Sequence, residues 1–360
     1  MPNVQHPRVA LIIVNYNGAQ YLPDLFASLA RMDFPKERCD IFFVDNASSD
    51  NSLKWAMEHA KALDREVFFI ESAENLGFAG GNNLAIKKAL EEGYSYIVLL
   101  NQDTRVDANW LKELVETAKK DISIGAVQSL LLLADERQLI NSAGNKLHYL
   151  GFGWVGQHKQ KNPNSKFQIP NSNIGYASGA AVLYRAEALK KVGLFDERFF
   201  MYHEDIDLSW RIRLAGYAVE LAPRSFVYHK YSFKGQTRKQ WWQLEERNRW
   251  IVLLTLYKWR TLLLFTPVLL FMEAGVIAYS IAKGWFLYKF KSYGEVICLS
   301  RYIVQKRKKI AQSRRVSDKD ILISMTGVFN FAEMRHPIIQ YVANPLLSAY
   351  FKIAKRFVKW

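Results

Sequence analysis

The segment RVALIIVNYNG, residues 8–18, runs from apolar side chains directly into a turn of asparagine, tyrosine and glycine. Two later segments repeat this form, CDIFFVDNASSDNS at residues 39–52 and YSYIVLLNQDTRVD at residues 94–107. A short apolar run that ends in turn residues is typical of a buried β-strand. The three segments therefore predict three buried strands with polar tips.

Helical patterns lie between the predicted strands, at residues 19–32, 51–63 and 79–93. This alternation predicts an α/β fold, with a Rossmann-like and mostly parallel sheet sandwiched by helices. Ligands of such sheets bind at the carboxyl ends of the strands, so the polar tips are the expected site. Turn formation alone explains any one tip equally well, but three together favour a binding site.

Two further stretches qualify this picture. Residues 122–176 are irregular and rich in Gly, Asn and Lys, which predicts loops and hairpins that carry substrate contacts. Residues 74–83, ENLGFAGGNN, form a Gly-rich turn that leads into a helix, so backbone amides there can face a polar ligand. The turn matches neither the phosphate-binding loop nor the dinucleotide fingerprint, which disfavours nucleotide hydrolysis and hydride transfer.

Three carboxylates follow the aromatic run of FFMYHEDIDLSWR, residues 199–211. The spacing of Ile206 and Trp210 predicts a helix that Gly216 ends, and Asp207 can pair with Arg211 four residues on. Glu204 and Asp205 then lie at the helix start, where the helix dipole stabilises carboxylates. Capping is the simpler explanation, but a carboxylate fixed there also suits a general base.

A metal site is the second chemical possibility. Asp103 ends a buried strand, where a carboxylate can hold a divalent ion between diphosphate oxygens. His229 is a candidate second ligand, although each residue alone is more often structural. Sequence spacing does not bring the two together.

The charge of the chain is regional. The chain has 360 residues and a formal net charge of +15, and residues 251–360 hold 18 Lys and Arg against 5 Asp and Glu. A basic and apolar tail suits an anionic membrane surface, whereas a nucleic-acid enzyme usually carries its positive charge around the catalytic cleft. We therefore expect a membrane partner and no nucleic acid. The two cysteines are too few for a disulfide framework.

The tail predicts helices that associate with a membrane. Residues 261–282 contain one charge, Glu273, and one proline, Pro267. About 20 apolar residues suffice to span a bilayer, but the internal Glu and Pro favour a helix that lies in the interface or re-enters it. The start of the chain lacks a signal-peptide core, which predicts the cytoplasmic face of the inner membrane. We expect a catalytic domain at residues 1–240 and a helical membrane-associating region at residues 241–360.

The segment WWQLEERNRW, residues 241–250, lies between these two regions. Arg247 and Arg249 can meet an acceptor diphosphate or a lipid headgroup. They can equally form a salt-bridged helix face with Glu245 and Glu246.

Seven segments in this order resemble glycosyltransferase family 2, in particular its bacterial rhamnosyltransferase-like branch. The resemblance covers residues 8–250 and rests on VNYNG, VDNASSD, NLGFAGGNN, LLNQD, ASGAAVLYR, FDERFFMYHEDIDLSWR and VYH. It implies a GT-A fold, a nucleotide-diphosphate sugar donor, a divalent metal (Mn²⁺ or Mg²⁺) and transfer with inversion.

The resemblance also implies roles for individual residues. Asp205 matches the catalytic base, and Asp103 and His229 match the metal ligands. The acceptor side and its support would include Glu204, Asp207, Trp210 and Arg247. The nucleotide sugar would be bound by Asn15, Tyr16, Asn17, Asp45, Asn75, Gly81, Asn82, Asn101 and Gln102. In the family's metal-binding motif, Asn101 stands at the position of the first acid and Gln102 at the middle position. Asp103 is therefore the single carboxylate of the motif.

The resemblance implies transfer of L-rhamnose from dTDP-L-rhamnose to a polyprenyl-diphosphate-linked saccharide, in surface polysaccharide synthesis. Galactofuranose, mannose and N-acetylglucosamine are alternative donor sugars. An inactive binding or scaffold subunit is a further alternative, which the presence of Asp205, Asp103 and His229 disfavours. The sequence gives no indication of the oligomeric state.

Overall fold

A large sheet runs through the first two thirds of the chain. The computed structural model describes residues 7–162, 174–230, 238–330 and 336–360, without the side chains of residues 238–240. The strands of the large sheet are β1 (Val9–Asn15), β2 (Cys39–Asp45), β3 (Val67–Glu71), β4 (Tyr96–Leu100), β5 (Thr104–Val106), β6 (Ile124–Leu133), β7 (Ile140–Ser142), β10 (Ala181–Arg185) and β11 (Ala218–His229). A small sheet contains β8 (Lys146–His148), β9 (Gly153–Trp154) and β12 (Met325–Thr326).

The strand order brings the predicted tips to one edge. The large sheet has the order β3-β2-β1-β4-β10-β6-β11-β5, with β7 paired to β6. Strands β3, β2, β1 and β4 are parallel, and Asn15 is in register with Asp45. Strand β10 is antiparallel to both β4 and β6, and β5 is antiparallel to β11. The predicted α/β class with a mostly parallel sheet is confirmed.

Helices cover both faces of the sheet because side chains alternate along each strand. Val9, Leu11 and Ile13 of β1 join one apolar core, and Ala10 and Ile12 join the other. The first core contains residues of α1 (Leu22–Leu29), α2 (Ser52–His59) and α4 (Trp110–Lys119). The second contains residues of α3 (Gly77–Glu91), α5 (Ala186–Val192) and α6 (Glu204–Leu214).

The expectation of loops and hairpins over residues 122–176 is wrong at its start. Strand β6 lies inside the sheet and is buried up to its last residue, with β10 on one side and β11 on the other. A strand buried on both faces lacks the alternation that identifies a half-buried strand, and in β6 the buried Gln128 and Ser129 also interrupt the apolar run. The antiparallel pair of β8 and β9 agrees with the expected hairpins.

The carboxyl-terminal region is helical and packs against the catalytic part. Its helices are α7 (Arg238–Leu256), α8 (Trp259–Ala282), α9 (Phe286–Cys298), α10 (Ser300–Ser313), α11 (Asp318–Ile321) and α12 (Asn344–Phe357). A third apolar core joins this region to α6 and to the small sheet, and β12 pairs with β8. The predicted boundary at residue 240 falls within α7 and stays a prediction.

Helix α8 combines an apolar outer face with a buried charge. By length and composition it is apolar enough to cross a membrane, and it is the one such helix among the described residues. The large apolar side chains it exposes are Trp259, Leu263, Leu270, Phe271, Tyr279 and Ile281. Its single acid, Glu273, is turned inward and pairs with Arg249 of α7 and Lys289 of α9.

Candidate active site

The tips of β1 and β2 are joined by buried polar side chains. Asn15 Nδ2 lies 3.0 Å from Asp45 Oδ1 and 2.7 Å from Ser52 Oγ. The other oxygen of Asp45 accepts a hydrogen bond from the backbone N–H of Ser48 at 3.1 Å. Asn15 Oδ1 is buried and has no hydrogen-bond partner within the described structure. Asn15 and Asp45 therefore fix the shape of this tip, and their contacts with a nucleotide stay predictions.

Gln102 joins the tip of β4 to that of β1. Its Oε1 accepts a hydrogen bond from Tyr16 N at 2.9 Å, and its Nε2 donates to Tyr16 O at 3.1 Å. The ring of Tyr16 remains 45% exposed, which suits stacking on a nucleotide base. Asn17 next to it has a positive φ of 51° and accepts a hydrogen bond from Ser49 N at 2.7 Å. Gln102 thus holds the backbone of Tyr16, which leaves Tyr16 as the better placed of the two for a ligand.

The Gly-rich turn packs onto the tip of β2. Asn46 Nδ2 donates to Asn75 Oδ1 at 3.0 Å, and Leu76 N donates to Asn46 Oδ1 at 3.0 Å. A Cβ on Gly81 would lie 2.9 Å from Val14 Cγ1, so glycine lets α3 approach β1. Asn82 is buried and donates to Phe78 O of its own helix at 2.8 Å. Packing accounts for Gly81 and Asn82, and their contacts with a ligand stay predictions.

Asp103 and His229, which are distant in sequence, lie together. Asp103 Oδ1 is 3.4 Å from His229 Nε2, because β5 pairs with β11 and places His229 opposite Thr104. His229 Nδ1 lies 3.0 Å from Asn141 Oδ1, and this contact orients the ring so that Nε2 faces Asp103. The sequence did not indicate Asn141.

This pair fits a divalent metal. A carboxylate and an imidazole are ordinary ligands of Mn²⁺, and Mg²⁺ commonly takes its remaining ligands from substrate phosphates and water. In the described ranges no group of three or more His, Cys, Asp or Glu residues is placed to hold an ion. Oxygen atoms of a bound substrate or of water would therefore have to complete the coordination of a metal held by Asp103 and His229.

The three carboxylates of α6 have three different environments. Burial, with a smaller contribution from the charge of Glu245, raises the pKa of Asp205 to about 6. The charge of His203 and the backbone N–H groups of Ile206 and Gly179 act in the opposite direction, and His203 has the larger effect of the two charged neighbours. Burial and the neighbouring Asp205 raise the pKa of Glu204 well above its usual range. A pKa of about 6 leaves Asp205 mostly ionised at neutral pH. Environments that separate the pKa values of adjacent carboxylates are typical of catalytic sites.

Asp207 has a structural role. Its Oδ2 accepts from Arg211 Nε at 2.8 Å, as the four-residue spacing predicted, and its Oδ1 lies 2.6 Å from Lys306 Nζ of α10. Burial raises its pKa, but the two cations lower it further, so the net shift is downward. The side chain is fully buried and ionised, and it ties α6 to α10.

Asp205 lies beside the tip of β4. The backbone N–H of Gly179 hydrogen-bonds the Asp205 carboxylate. The next residue, Ala180, accepts a hydrogen bond from Asn101 N at 2.9 Å. Asn101 is two residues before Asp103. These contacts bring the predicted base and the predicted metal ligands to the same edge of the sheet.

The loop before α6 has an unusual backbone. Phe200, Tyr202 and His203 all have positive φ values, between 63° and 67°. Left-handed backbone costs about 1–2 kcal/mol for such a residue, so other contacts must hold the loop. Asn248 of α7 supplies them, because its Nδ2 lies 3.1 Å from Phe199 O, 3.0 Å from Met201 O and 2.8 Å from Tyr202 O.

Two of the predicted acceptor-side residues support this loop and its helix. Arg247 Nη2 donates to Arg198 O at 2.9 Å, and Arg247 Nη1 lies 3.6 Å from Glu295 Oε2. The indole of Trp210 is 1% exposed and packs edge-on against Tyr257 with ring centroids 4.7 Å apart. Trp210 is therefore a core residue that supports α6, and its predicted place on the acceptor side stays a prediction. Its four-residue spacing from Ile206 reflects burial.

A cavity of about 430 Å³ lies at the opposite edge of the sheet, beside Tyr96 and Arg185. Tyr96 begins β4 and Arg185 ends β10, so this cavity faces away from the polar tips. It takes no part in the site described above.

The sheet order and the helices on both faces are those of a GT-A fold, the fold class that the sequence predicted. Residues 10–193 match the model of Glycosyl transferase family 2. The chain belongs to this family, and the enzyme class expected from the sequence is confirmed.

Comparisons with individual proteins give more distant similarities. The chain is 26% identical over 220 residues to a poly-beta-1,6-N-acetyl-D-glucosamine synthase of Staphylococcus epidermidis, which covers 61% of this chain and 49% of that protein. The chain thus spans about half the length of the curated relatives it matches. Residues 1–349 of S. aureus TarS align with a TM-score of 0.52 and 15% identity, covering 97% of this chain and 90% of that one. The mannosyltransferase PcManGT of Pyrobaculum calidifontis, solved with GDP-Man and Mn²⁺, aligns with a TM-score of 0.51 and 16% identity, covering 86% of each chain. These two structural similarities show the fold alone.

Proposed function

We propose that this glycosyltransferase inverts the anomeric centre of its donor sugar in a single displacement, with Asp205 as the general base. The observation that carries the proposal is the environment of Asp205, the second residue of α6, whose carboxylate accepts a hydrogen bond from Ile206 N at 2.8 Å and is also stabilised by the Gly179 N–H. A base with a pKa of about 6 is ionised at neutral pH and still accepts a proton. Asp205 accepts the proton of the acceptor hydroxyl while that oxygen attacks the sugar carbon.

The donor side lies at the strand tips. Tyr16 offers an exposed ring for the nucleotide base, and Asn15, Asn17, Asp45, Asn75 and Asn101 supply polar groups around it. Asp103 and His229 would hold the divalent metal, which stabilises negative charge on the departing diphosphate when it is bound. Inversion needs one carboxylate, which accepts the proton of the acceptor hydroxyl. It needs no second carboxylate, because no covalent sugar–enzyme intermediate forms.

For the donor we favour UDP-N-acetylglucosamine. The relative from S. epidermidis is named for a polymer of N-acetylglucosamine, and TarS has been solved with UDP-GlcNAc. The dTDP-L-rhamnose predicted from the order of the motifs is the second candidate, since no relative compared above is named for rhamnose. For the acceptor we propose a polyprenyl-diphosphate-linked saccharide at the cytoplasmic face of the membrane.

The donor is tested by incubating the purified protein with membrane lipid extract and one nucleotide sugar at a time. The panel contains UDP-N-acetylglucosamine, dTDP-L-rhamnose, UDP-galactofuranose and GDP-mannose, each with Mn²⁺, Mg²⁺ or a chelator. We expect label from UDP-N-acetylglucosamine in the lipid fraction, and less label with the chelator. Preferential transfer from dTDP-L-rhamnose would favour the second candidate, and no transfer from any donor would contradict the proposed function.

The outer face of the carboxyl-terminal helices supports an anionic membrane as partner. Leu263, Leu270 and Phe271 of α8 are 50–72% exposed. Helix α12 exposes Ile353 and Phe357 beside Lys352 and Arg356, a mixture that suits the headgroup region. Each Lys or Arg near an anionic surface contributes about 1 kcal/mol to binding.

We expect the protein to float with phosphatidylglycerol vesicles and to bind less to neutral phosphatidylcholine vesicles. Leu270→Asp/Phe271→Asp should reduce binding by at least about tenfold, because two charges would enter the apolar phase. Ile122→Asp is the matched control, since Ile122 is 74% exposed but lies outside this region. Equal loss of vesicle binding in the two variants would contradict the assignment of the outer face of α8 as a membrane-binding surface.

A further inference from the structure

His203 is a buried histidine whose two ring nitrogens both face oxygen acceptors. Its Nδ1 lies 3.1 Å from Glu245 Oε2, and its Nε2 lies 3.1 Å from the carbonyl oxygen of Gly151. The side chain is 5% exposed. A neutral imidazole donates from one nitrogen only, whereas an imidazolium donates from both. The arrangement therefore suits a histidine cation.

This cation is held close to the base by several elements. His203 directly precedes α6, two residues before Asp205, and its left-handed backbone belongs to the loop that Asn248 holds. Glu245 lies on α7, three residues before Asn248. One helix of the carboxyl-terminal region thus supplies both the partner of the imidazole and the support of its backbone.

We propose that His203 and Glu245 are positioning residues, an ion pair that keeps a positive charge beside Asp205 and so keeps the base ionised. This inference rests on the proposed role of Asp205. The pair gives α7 a role at the loop before α6, which Glu245 and Asn248 both contact. Neither residue is expected to touch donor or acceptor.

The other charges around His203 agree with this role. On α6, Glu204 and Asp205 are both nearby, and Asp207 is neutralised by Arg211 and Lys306. On α7, Arg249 is directed to Glu246 and Glu273 and donates to Leu150 O. Burial lowers the pKa of His203 and is the largest single effect on it. The hydrogen bond and the charge of Glu245, the contact with Gly151 and the charge of Asp205 together outweigh burial, so the net shift is upward.

The test is the pH profile of sugar transfer in His203→Asn, because asparagine tolerates left-handed backbone and removes the charge. The parent should lose activity as the pH falls through about 6. In His203→Asn this acidic limb should move up by about 1 pH unit, since an opposite charge at short range shifts a carboxyl by that order. In His203→Asn/Glu245→Gln the acidic limb of the pH profile should return toward that of the parent. The carboxylate of Glu245, which has no partner in His203→Asn, is removed in the double variant.

A purely structural role would lower the rate at every pH and leave the limb where it is. An unmoved limb in an active His203→Asn enzyme would overturn the inference. If Asp205→Asn retained parent activity, the proposed function would fail first, and the two failures are thereby distinguishable. Should His203→Asn not fold, NMR titration of the parent and Glu245→Gln decides, because the His203 ring must titrate at lower pH in the variant. An unchanged titration would refute the ion pair.

Discussion

Asp205→Asn is expected to lower the rate of sugar transfer by about 10³-fold, within the 10²–10⁴ range typical of a positioned general base. The amide cannot accept the proton of the acceptor hydroxyl, whereas its shape and its hydrogen bond from Gly179 N–H are retained. The residues proposed to bind the nucleotide lie on other elements, at the tips of β1 and β2. Donor binding should therefore change little, and the loss should lie in kcat.

Glu204→Gln is the matched control for this variant. Glu204 neighbours Asp205 on the same helix, burial and Asp205 raise its pKa, and glutamine keeps the size and polarity of its side chain. We expect Glu204→Gln to retain most of the parent rate. Steady-state transfer rates, donor affinity by calorimetry and circular dichroism separate chemistry from binding and folding. If Glu204→Gln were as impaired as Asp205→Asn, our assignment of the general base to Asp205 would be wrong.

The sequence indicated the local parts of this site well. The polar tips at Asn15, Asp45 and Asn101 follow apolar runs, and such runs predict strands before any tertiary contact is known. The helix that begins at Glu204 was identified from its four-residue spacing and from the Asp207–Arg211 pair. Both signals are carried by neighbouring residues, and the structure retains them.

Contacts between distant segments could not be predicted in this way. Asp103 meets His229 because β5 pairs with β11, a register that single-sequence spacing does not contain. His203 and Glu245 are 42 positions apart in the chain numbering, and no local pattern marks either of them. Strand β6 was missed because it is buried on both faces and contains Gln128 and Ser129 in its middle, so its sequence shows neither strict alternation nor an unbroken apolar run.

A buried quartet of charges links the base-supporting helix to the apolar surface. It consists of Glu246 and Arg249 on α7, Glu273 on α8 and Lys289 on α9, with two charges of each sign. Arg249 Nη2 lies 2.8 Å from Glu246 Oε2, and Lys289 Nζ lies 2.7 Å from Glu273 Oε2. Arg249 also contacts Glu273, and Lys289 also contacts Glu246. The four side chains are mostly buried, so each charge depends on its partners.

Lys289→Met is expected to lower the free energy of unfolding by about 3–5 kcal/mol, the cost of leaving a buried charge without its partner. Methionine fills a similar volume, so the loss would come from two carboxylates that share one arginine. Lys291→Met is the control, because Lys291 is an exposed lysine on the same helix. Urea unfolding followed by tryptophan fluorescence measures both variants.

The double variant Lys289→Met/Glu273→Gln separates charge balance from packing. It restores equal numbers of positive and negative charges, so it should recover part of the stability lost in Lys289→Met, although it removes one more ionic group. Loss of packing alone would instead make the double variant no more stable than the single one. If Lys289→Met unfolded at the same urea concentration as Lys291→Met, the quartet would not fix α7 against α8 and α9. In that event the contacts of α7 with the loop before α6 would have to rest on Glu245, Arg247 and Asn248.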